Sequence, residues 1–313
     1  MPDSQDALLP DAPIPFAKMH GSGNDFVVID HRTRLIRPEA EAAFVRAICQ
    51  PRTGIGADGV VFIETVDAAL PDATEAAFSW RYINADGSAG EMCGNGAMCG
   101  ARFAVLTSIA PSPCAFQTPS GLVRAEVGTA DEPTGSRVVL AMVDATSWVP
   151  PRAVETSIGS LEVASILVGV PHAMIVVDDA DAWPESGSFD AIGRELRMHP
   201  AFAPAGTNVN VISMRGAHDL RMRTWERGVE AETLACGTGA VASAIAARRQ
   251  GLVDPAGPGT VHASGGWPLT VAFTWDDVAG AATGITLSGQ AIVVARGELD
   301  PEAWHSGSAS AGR

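Results

Sequence analysis

The sequence predicts a mixed α/β (α+β) protein made of two related domains. Three observations carry this expectation. Short apolar runs rich in β-branched residues alternate with glycine and polar turns, a few alanine-rich stretches have the composition of buried helices, and a Cys-Gly-x-Gly motif occurs twice, each time leading into such a helix.

The strand candidates are Phe26-Val27-Val28-Ile29, Gly59-Val60-Val61-Phe62-Ile63, Ile175-Val176-Val177 and Val209-Asn210-Val211-Ile212. Several are almost continuously apolar, as strands covered on both faces are. Helical patterns fall at 39–48, 94–106 and 237–249. The last two open at a glycine-rich turn and continue with alanine and larger apolar residues, which favour helix.

Those two helices expose a duplication. Cys93-Gly94-Asn95-Gly96-Ala97 matches Cys236-Gly237-Thr238-Gly239-Ala240, an offset of 143 residues (93 to 236). Upstream, Gly23-Asn24-Asp25-Phe26 before Val27-Val28-Ile29-Asp30 resembles Gly169-Val170-Pro171-His172 before Ile175-Val176-Val177-Asp178, an offset of 146 (23 to 169). A period this long means two homologous domains and not a solenoid. The junction is expected near Val143, giving domains at 14–142 and 143–286, with a C-terminal return near 287–300 completing the first. Residues 1–13 and 306–313 are polar or small and read as flexible ends.

A chain of 313 residues is long enough for two cores. A net charge of −15 repels phosphate backbones and anionic lipid, so small molecules are better partners than nucleic acid or membrane. No stretch approaches the ~18 apolar residues of a membrane span, and the first fifteen residues lack a basic start. Five cysteines form no disulfide framework. The expectation is a cytoplasmic protein with thiols available for packing or chemistry.

A cysteine at a helix mouth sits beside unpaired N–H groups and the positive end of the helix dipole, both of which stabilise thiolate. The same N–H groups bind carboxylates. Two such mouths acting on one substrate would invert a Cα centre, one thiol removing the proton and the other returning one to the opposite face. The carbanion needs charge stabilisation. Pyridoxal phosphate would require a Schiff-base lysine, and the single lysine, Lys18, lies in no phosphate-binding motif. Preorganised hydrogen-bond donors are the expected alternative, with no cofactor and no metal.

Longer motifs extend the pattern: Lys18-Met19-His20-Gly21-Ser22-Gly23-Asn24-Asp25-Phe26, Gly54-Ile55-Gly56-Ala57-Asp58-Gly59, Asn84-Ala85-Asp86-Gly87-Ser88, Met92-Cys93-Gly94-Asn95-Gly96, Gly206-Thr207-Asn208-Val209, Trp225-Glu226-Arg227-Gly228 and Glu232-Thr233-Leu234-Ala235-Cys236-Gly237-Thr238-Gly239. In this order they resemble the diaminopimelate epimerase family from Phe16 to about Ala295. The resemblance implies two pseudo-symmetric domains, each a curled mixed sheet around a central helix, with the active site in the cleft between them. It implies that Cys93 and Cys236 are the acid/base thiols. Gly94, Asn95, Gly237 and Thr238 would present backbone N–H groups to the reacting carboxylate, and Asn24 would contact the same end. Asn84, Asn208, Glu226 and Arg227 would hold the distal amino-acid head group, and His172 would tune a cysteine. A homodimer, frequent in the family, is the implied assembly.

Three departures stand out. Val170 replaces an asparagine usual in the family, 228–232 is one residue longer and adds a carboxylate, and Met98 stands where arginine is common. Val170 and the longer loop leave open a racemase of histidine, ornithine or lysine beside a diaminopimelate epimerase of lysine biosynthesis. A non-catalytic amino-acid-binding module is a more distant reading. Simpler structural roles exist for each residue: buried cysteine, satisfied histidine, surface ion pair for Glu226 and Arg227, plain turn at Asn84. Cys49, Cys99 and Cys114 have no such context and are expected to pack.

Overall fold

A computed structural model describes residues 9–70, 72–90, 92–129, 136–184, 187–253 and 259–305. The chain divides into two compact units, 1–138 with 290–313, and 139–289.

The first unit contains β1 (Ile14–Gly21), β2 (Asn24–Asp30), α1 (Pro38–Cys49), β3 (Gly59–Glu64), β4 (Phe78–Asn84), β5 (Ala89–Gly90), α2 (Gly94–Leu106), β6 (Cys114–Thr118) and β7 (Gly121–Val127), with β8 (Arg137–Ala141) beginning in it. The second contains β9 (Thr146–Thr156), β10 (Gly159–Val168), β11 (Val170–Val176), α3 (Phe189–Arg197), β12 (Asn208–Met214), β13 (Asp219–Glu226), β14 (Ala231–Thr233), α4 (Gly237–Arg249), β15 (Gly259–His262), β16 (Pro268–Asp276) and the first part of β17 (Ala281–Leu299). The rest of β17 and α5 (Glu302–His305) return to the first.

The two units repeat one pairing scheme. In the first, β1 and β2 are antiparallel, β2 and β3 parallel, β3 and β4 antiparallel, β4 and β6 parallel, and β6 and β7 antiparallel. The second follows the same sequence of relationships through β10, β11, β12, β13, β15 and β16. The duplicated motifs are thus the surface of a duplicated topology. The late half of β17 pairs with β1, Leu299 opposite Ile14.

Each unit's sheet curls around a helix that would be marginal alone. α2 packs against β1, β2, β3, β4 and β7, and α4 against β10 to β13, β15 and β16. Their alanines and glycines let strands approach from several sides; Ala97, Cys99, Ala101 and Ala104 are fully buried, as are Ala240, Val241, Ala242 and Ala246. Both helices span the residues the sequence pattern assigns them.

The outer faces are closed differently. α1 lays Phe44, Val45 and Ile48 on Val27, Ile29 and Phe62, joined by Leu299 and Trp304 of the C-terminal return. Leu9 packs on this cluster, so the described part of the N-terminal end is tied down; residues 1–8 and 306–313 lie outside the described residues. α3, which the sequence pattern does not mark, covers Val209, Val211 and Trp225 with Phe189, Ile192 and Leu196. Its apolar residues follow helical spacing, but the segment is only nine residues long and includes a glycine and four charged side chains.

Candidate active site

The residues around Cys93 are assembled from both ends of the first unit. Cys93 is the N-cap of α2, in extended conformation, and its sulfur accepts the N–H of Gly96 at 3.5 Å. Ala97 N–H bonds to Cys93 O, starting the helix. The helix itself makes no use of the N–H groups of its first residues, Gly94 and Asn95. Asn95 donates its side-chain amide to Asn24 Oδ1 at 2.6 Å. Asn24 in turn donates to Asp58 Oδ2 at 3.3 Å.

Asp25 and Asp58 hold β2 to the loop before β3, each accepting the other's backbone N–H at 3.1 Å. Lys18 pairs with Asp25 and donates to Gly56 O. The lysine is thus committed to an ion pair with Asp25 and to fixing this loop. Asn84, at the end of β4, donates to Ser88 O at 3.3 Å and Ser88 Oγ at 3.0 Å, within its own turn. Tyr82 reaches from the same strand to Asp58 O at 3.1 Å.

The second unit repeats the cap. Cys236 is the N-cap of α4, its sulfur accepts Gly239 N–H at 3.4 Å, and Thr238 Oγ1 lies 3.6 Å away. Gly239 has to be glycine: a Cβ there would stand 2.6 Å from Asn210 Oδ1 and 3.2 Å from Cys236 Sγ. Neither α2 nor α4 carries an acid in its first turn, whereas α1 has Glu39 and Glu41 and α3 has Asp190. Two helices have a sulfur at their positive ends and no acid in the first turn, and two compensate theirs with carboxylates.

Behind α4, period-two alternation in β12 sends Val209 and Val211 toward α3 and Asn208 and Asn210 to the opposite face. Asn208 Oδ1 accepts the backbone N–H of Arg227 at 2.7 Å, fixing the chain where Glu226 and Arg227 emerge from β13. Burial pushes the Glu226 carboxyl up. His172 is fully buried beside Asn210, and burial together with the positive charge of Arg227 pushes its pKa down to about 3, so the ring is neutral.

The departures from the family pattern have local accounts. Glu230 turns back on its own loop, accepting Gly228 N–H at 3.1 Å and Arg197 Nε at 3.0 Å. Glu232 accepts Arg223 at 2.9 and 2.7 Å and Ser264 at 2.9 Å. The added carboxylate is thereby paired within the structure. Met98 is fully buried in α2. Val170 faces Val168 across a hairpin that turns at Gly169, where φ is +68°. Nothing in the structure explains the exchange of asparagine for valine there.

The other thiols differ from the helix caps. Burial pushes Cys49 up to about 12, raises Cys114 and raises Cys99 still further, with the nearby Cys93 adding to the effect on Cys99. These groups stay protonated and act as packing.

One further buried cluster, His31, Glu41 and Glu64, has the composition of a metal site. Its chemistry is already closed. His31 Nε2 accepts Ile36 N–H at 3.0 Å, which puts the ring proton on Nδ1, 2.9 Å from Glu64 Oε1. Arg81 bridges Glu41 and Glu64 through four contacts of 2.7 to 2.8 Å. Burial works against the Glu64 charge, but hydrogen bonds from Arg81 and His31 outweigh it and hold the group at about 2.

Asp25, Asp58, Lys18, Asn210 and Thr224 are the contributors that motif reading passed over. A signal existed for Asn210: a second asparagine two residues after Asn208 in a strand must share its face. No helix among the described residues is long and apolar enough to cross a membrane.

Comparisons with known proteins point to one family and fold. A family model described as diaminopimelate epimerase matches residues 16–149 and 164–291. A diaminopimelate epimerase of Hydrogenobaculum sp. is 40% identical over 241 residues, covering 75% of this chain and 83% of that protein. One from Aquifex aeolicus is 38% identical over 295 residues, covering 92% of this chain and 98% of its own. Among solved structures, a probable proline racemase from Agrobacterium radiobacter superimposes with a TM-score of 0.65 at 19% identity, over 93% of this chain and 95% of that one. At that identity the likeness is one of fold.

Proposed function

This chain belongs to the diaminopimelate epimerase family, and from that premise we propose that it converts L,L-diaminopimelate to the meso form without a cofactor, using Cys93 and Cys236 as its two acid/base groups. The observation that carries the reading is the duplicated cap, in which each of these sulfurs accepts the N–H of the third helical residue at 3.4 to 3.5 Å. That bond and the uncompensated helix terminus favour thiolate, so a cysteine here is a competent base near neutral pH.

In the forward reaction one sulfur, as thiolate, takes the Cα proton. The other, as thiol, gives its proton to the opposite face of the carbanion. The enzyme ends with the same number of protons and with the two cysteines exchanged in state, so the reverse reaction uses them in the opposite roles. Backbone N–H groups of Gly94, Asn95, Gly237 and Thr238 stabilise the charge that develops on the carboxylate, and Asn24 supports that end. Each well-placed donor is worth about 3–4 kcal/mol in a transition state.

Asn84, Asn208, Glu226 and Arg227 serve the distal head group, Arg227 suiting a carboxylate and Glu226 an ammonium. The names of the relatives favour diaminopimelate over histidine, ornithine or lysine as substrate. Proton NMR of α-hydrogen exchange in D2O tests this, with the four amino acids offered separately to the reduced enzyme. Exchange on diaminopimelate alone is expected. Exchange only on another amino acid overturns the substrate, and exchange on none overturns the chemistry.

A further inference from the structure

A line of buried polar side chains behind α4 has no place yet in the proposed chemistry. Asn210 and Thr224 face each other across the antiparallel β12 and β13, and Asn210 and His172 are both 0% exposed. Both ends of the Asn210 amide are engaged. Its Oδ1 accepts Thr224 Oγ1 at 3.0 Å, and its Nδ2 donates to Ala173 O at 3.2 Å and to His172 Nδ1 at 3.1 Å.

The Ala173 carbonyl decides which way the amide lies. A carbonyl oxygen can only accept, so the atom facing it is the NH2 nitrogen. The same NH2 group then meets His172 Nδ1, which must also accept. The ring proton is therefore on Nε2, and a second proton at Nδ1 would run head-on into the amide hydrogens. His172 Nε2 has no hydrogen-bond partner among the described residues. A fully buried N–H left in this way calls for an acceptor from outside the fold.

Asn210 also reaches the Cys236 cap. Its Oδ1 lies 2.6 Å from where a Gly239 Cβ would stand, and Gly239 N–H is the group that bonds the sulfur. One amide therefore orients His172 and walls the turn that holds Cys236.

We propose that Asn210 is a positioning residue of this site: it locks His172 as the neutral Nε2–H tautomer, so that His172 serves the reaction as a fixed hydrogen-bond donor and not as a proton carrier. The reaction it serves is the two-thiol epimerisation above; the tautomer itself is independent of that reading. Arg227 adds its positive charge to the effect of burial, β12 carries no charged residue, β10 has only the exposed Glu162, and the α4 helix has charged side chains only at Arg248 and Arg249 in its last turn; Cys236 at its cap is the titratable group at the other end, and its thiolate would act on the ring in the opposite sense.

The test is long-range proton–nitrogen correlation NMR on the full chain labelled with 15N-histidine, with His172 picked out among the seven histidines by its loss in His172→Gln. The expected His172 spectrum is that of an Nε2–H ring that does not titrate between about pH 6 and pH 9. An Nδ1–H ring, or titration in that window, overturns the proposal whatever the substrate proves to be. Asn210→Asp puts an acceptor where the donor stood. It should move the ring proton to Nδ1 or charge the ring, and lower kcat by about tenfold or more with KM changed far less. An Asn210→Asp enzyme with the original tautomer and kcat overturns the proposal. Should that variant not fold, Thr224→Val, which leaves the Ala173 constraint in place, is expected to keep the Nε2–H ring; a switched tautomer there overturns the argument from Ala173.

Discussion

Asn95, in the first turn of α2, donates its side-chain amide to Asn24 Oδ1 at 2.6 Å across 71 positions of sequence. This bond sets the mouth of the helix capped by Cys93 against the start of β2, and Asn24 passes the constraint to Asp58.

Asn24→Ala removes the acceptor and should cost about 1–3 kcal/mol of stability, the range for a buried polar group left unmatched, together with a loss of α-hydrogen exchange. Asn24→Asp keeps an acceptor for Asn95 but sets a carboxylate against Asp58. It should be at least as unstable at neutral pH and recover on mild acidification, which Asn24→Ala should not do. Thermal melts of the two variants at several pH values check the contrast.

The two caps differ in how much room they leave. A Cβ at Gly239 meets Asn210 Oδ1 at 2.6 Å, whereas one at Gly96 finds its nearest neighbour, a Trp80 ring carbon, at 3.3 Å. Gly239→Ala should therefore destabilise by roughly 1–3 kcal/mol, as overpacking does, and Gly96→Ala by clearly less. Denaturant midpoints of both variants decide it; equal losses would contradict the packing described.

Cys93→Ser and Cys236→Ser should each fold with little change in melting temperature, because serine is itself a favoured N-cap and can accept the same N–H. Each should lose epimerisation by roughly 10²–10⁴-fold, since a hydroxyl is a far weaker acid than a thiol and one of the two proton transfers then lacks its group. Retained turnover in either variant would remove that cysteine from the chemistry.

Acid should destabilise the protein in two windows. His172 is buried neutral with its pKa pushed down to about 3, so the unfolded chain binds its proton first. The stability this residue contributes is fully present above about pH 6.5 and declines as pH falls toward 3, by a loss on the order of a few kcal/mol. Glu64, held at about 2 by Arg81 and His31 against its burial, contributes stability above about pH 4.5 that is lost as pH falls through 2. His172→Gln should flatten the melting-temperature profile between pH 6.5 and about 4 and leave the lower window. Glu64→Gln should do the reverse, from a lower starting stability. A His172→Gln profile that keeps the wild-type slope above pH 4 would refute the first assignment.

Much of this molecule was legible in one dimension. The helices headed by Cys93 and Cys236 are local events, since a capping residue, a glycine-rich first turn and an alanine-rich body are contiguous in the chain, and their repetition announced the duplicated topology. The resemblance in ordered motifs led to the family for the same reason: each motif is a short stretch whose turn or cap must be built from its own residues. What α3 covers, how Lys18 is spent, why Glu230 turns back to Arg197, and which nitrogen of His172 carries its proton were decided only in three dimensions. Those outcomes depend on partners 7 to 38 positions away or on neighbouring strands, as with Asp25 for Lys18 and Asn210 for His172. Side-chain orientation and protonation follow from which donor meets which acceptor once the sheet has closed around its helix, and composition and spacing hold no record of that meeting.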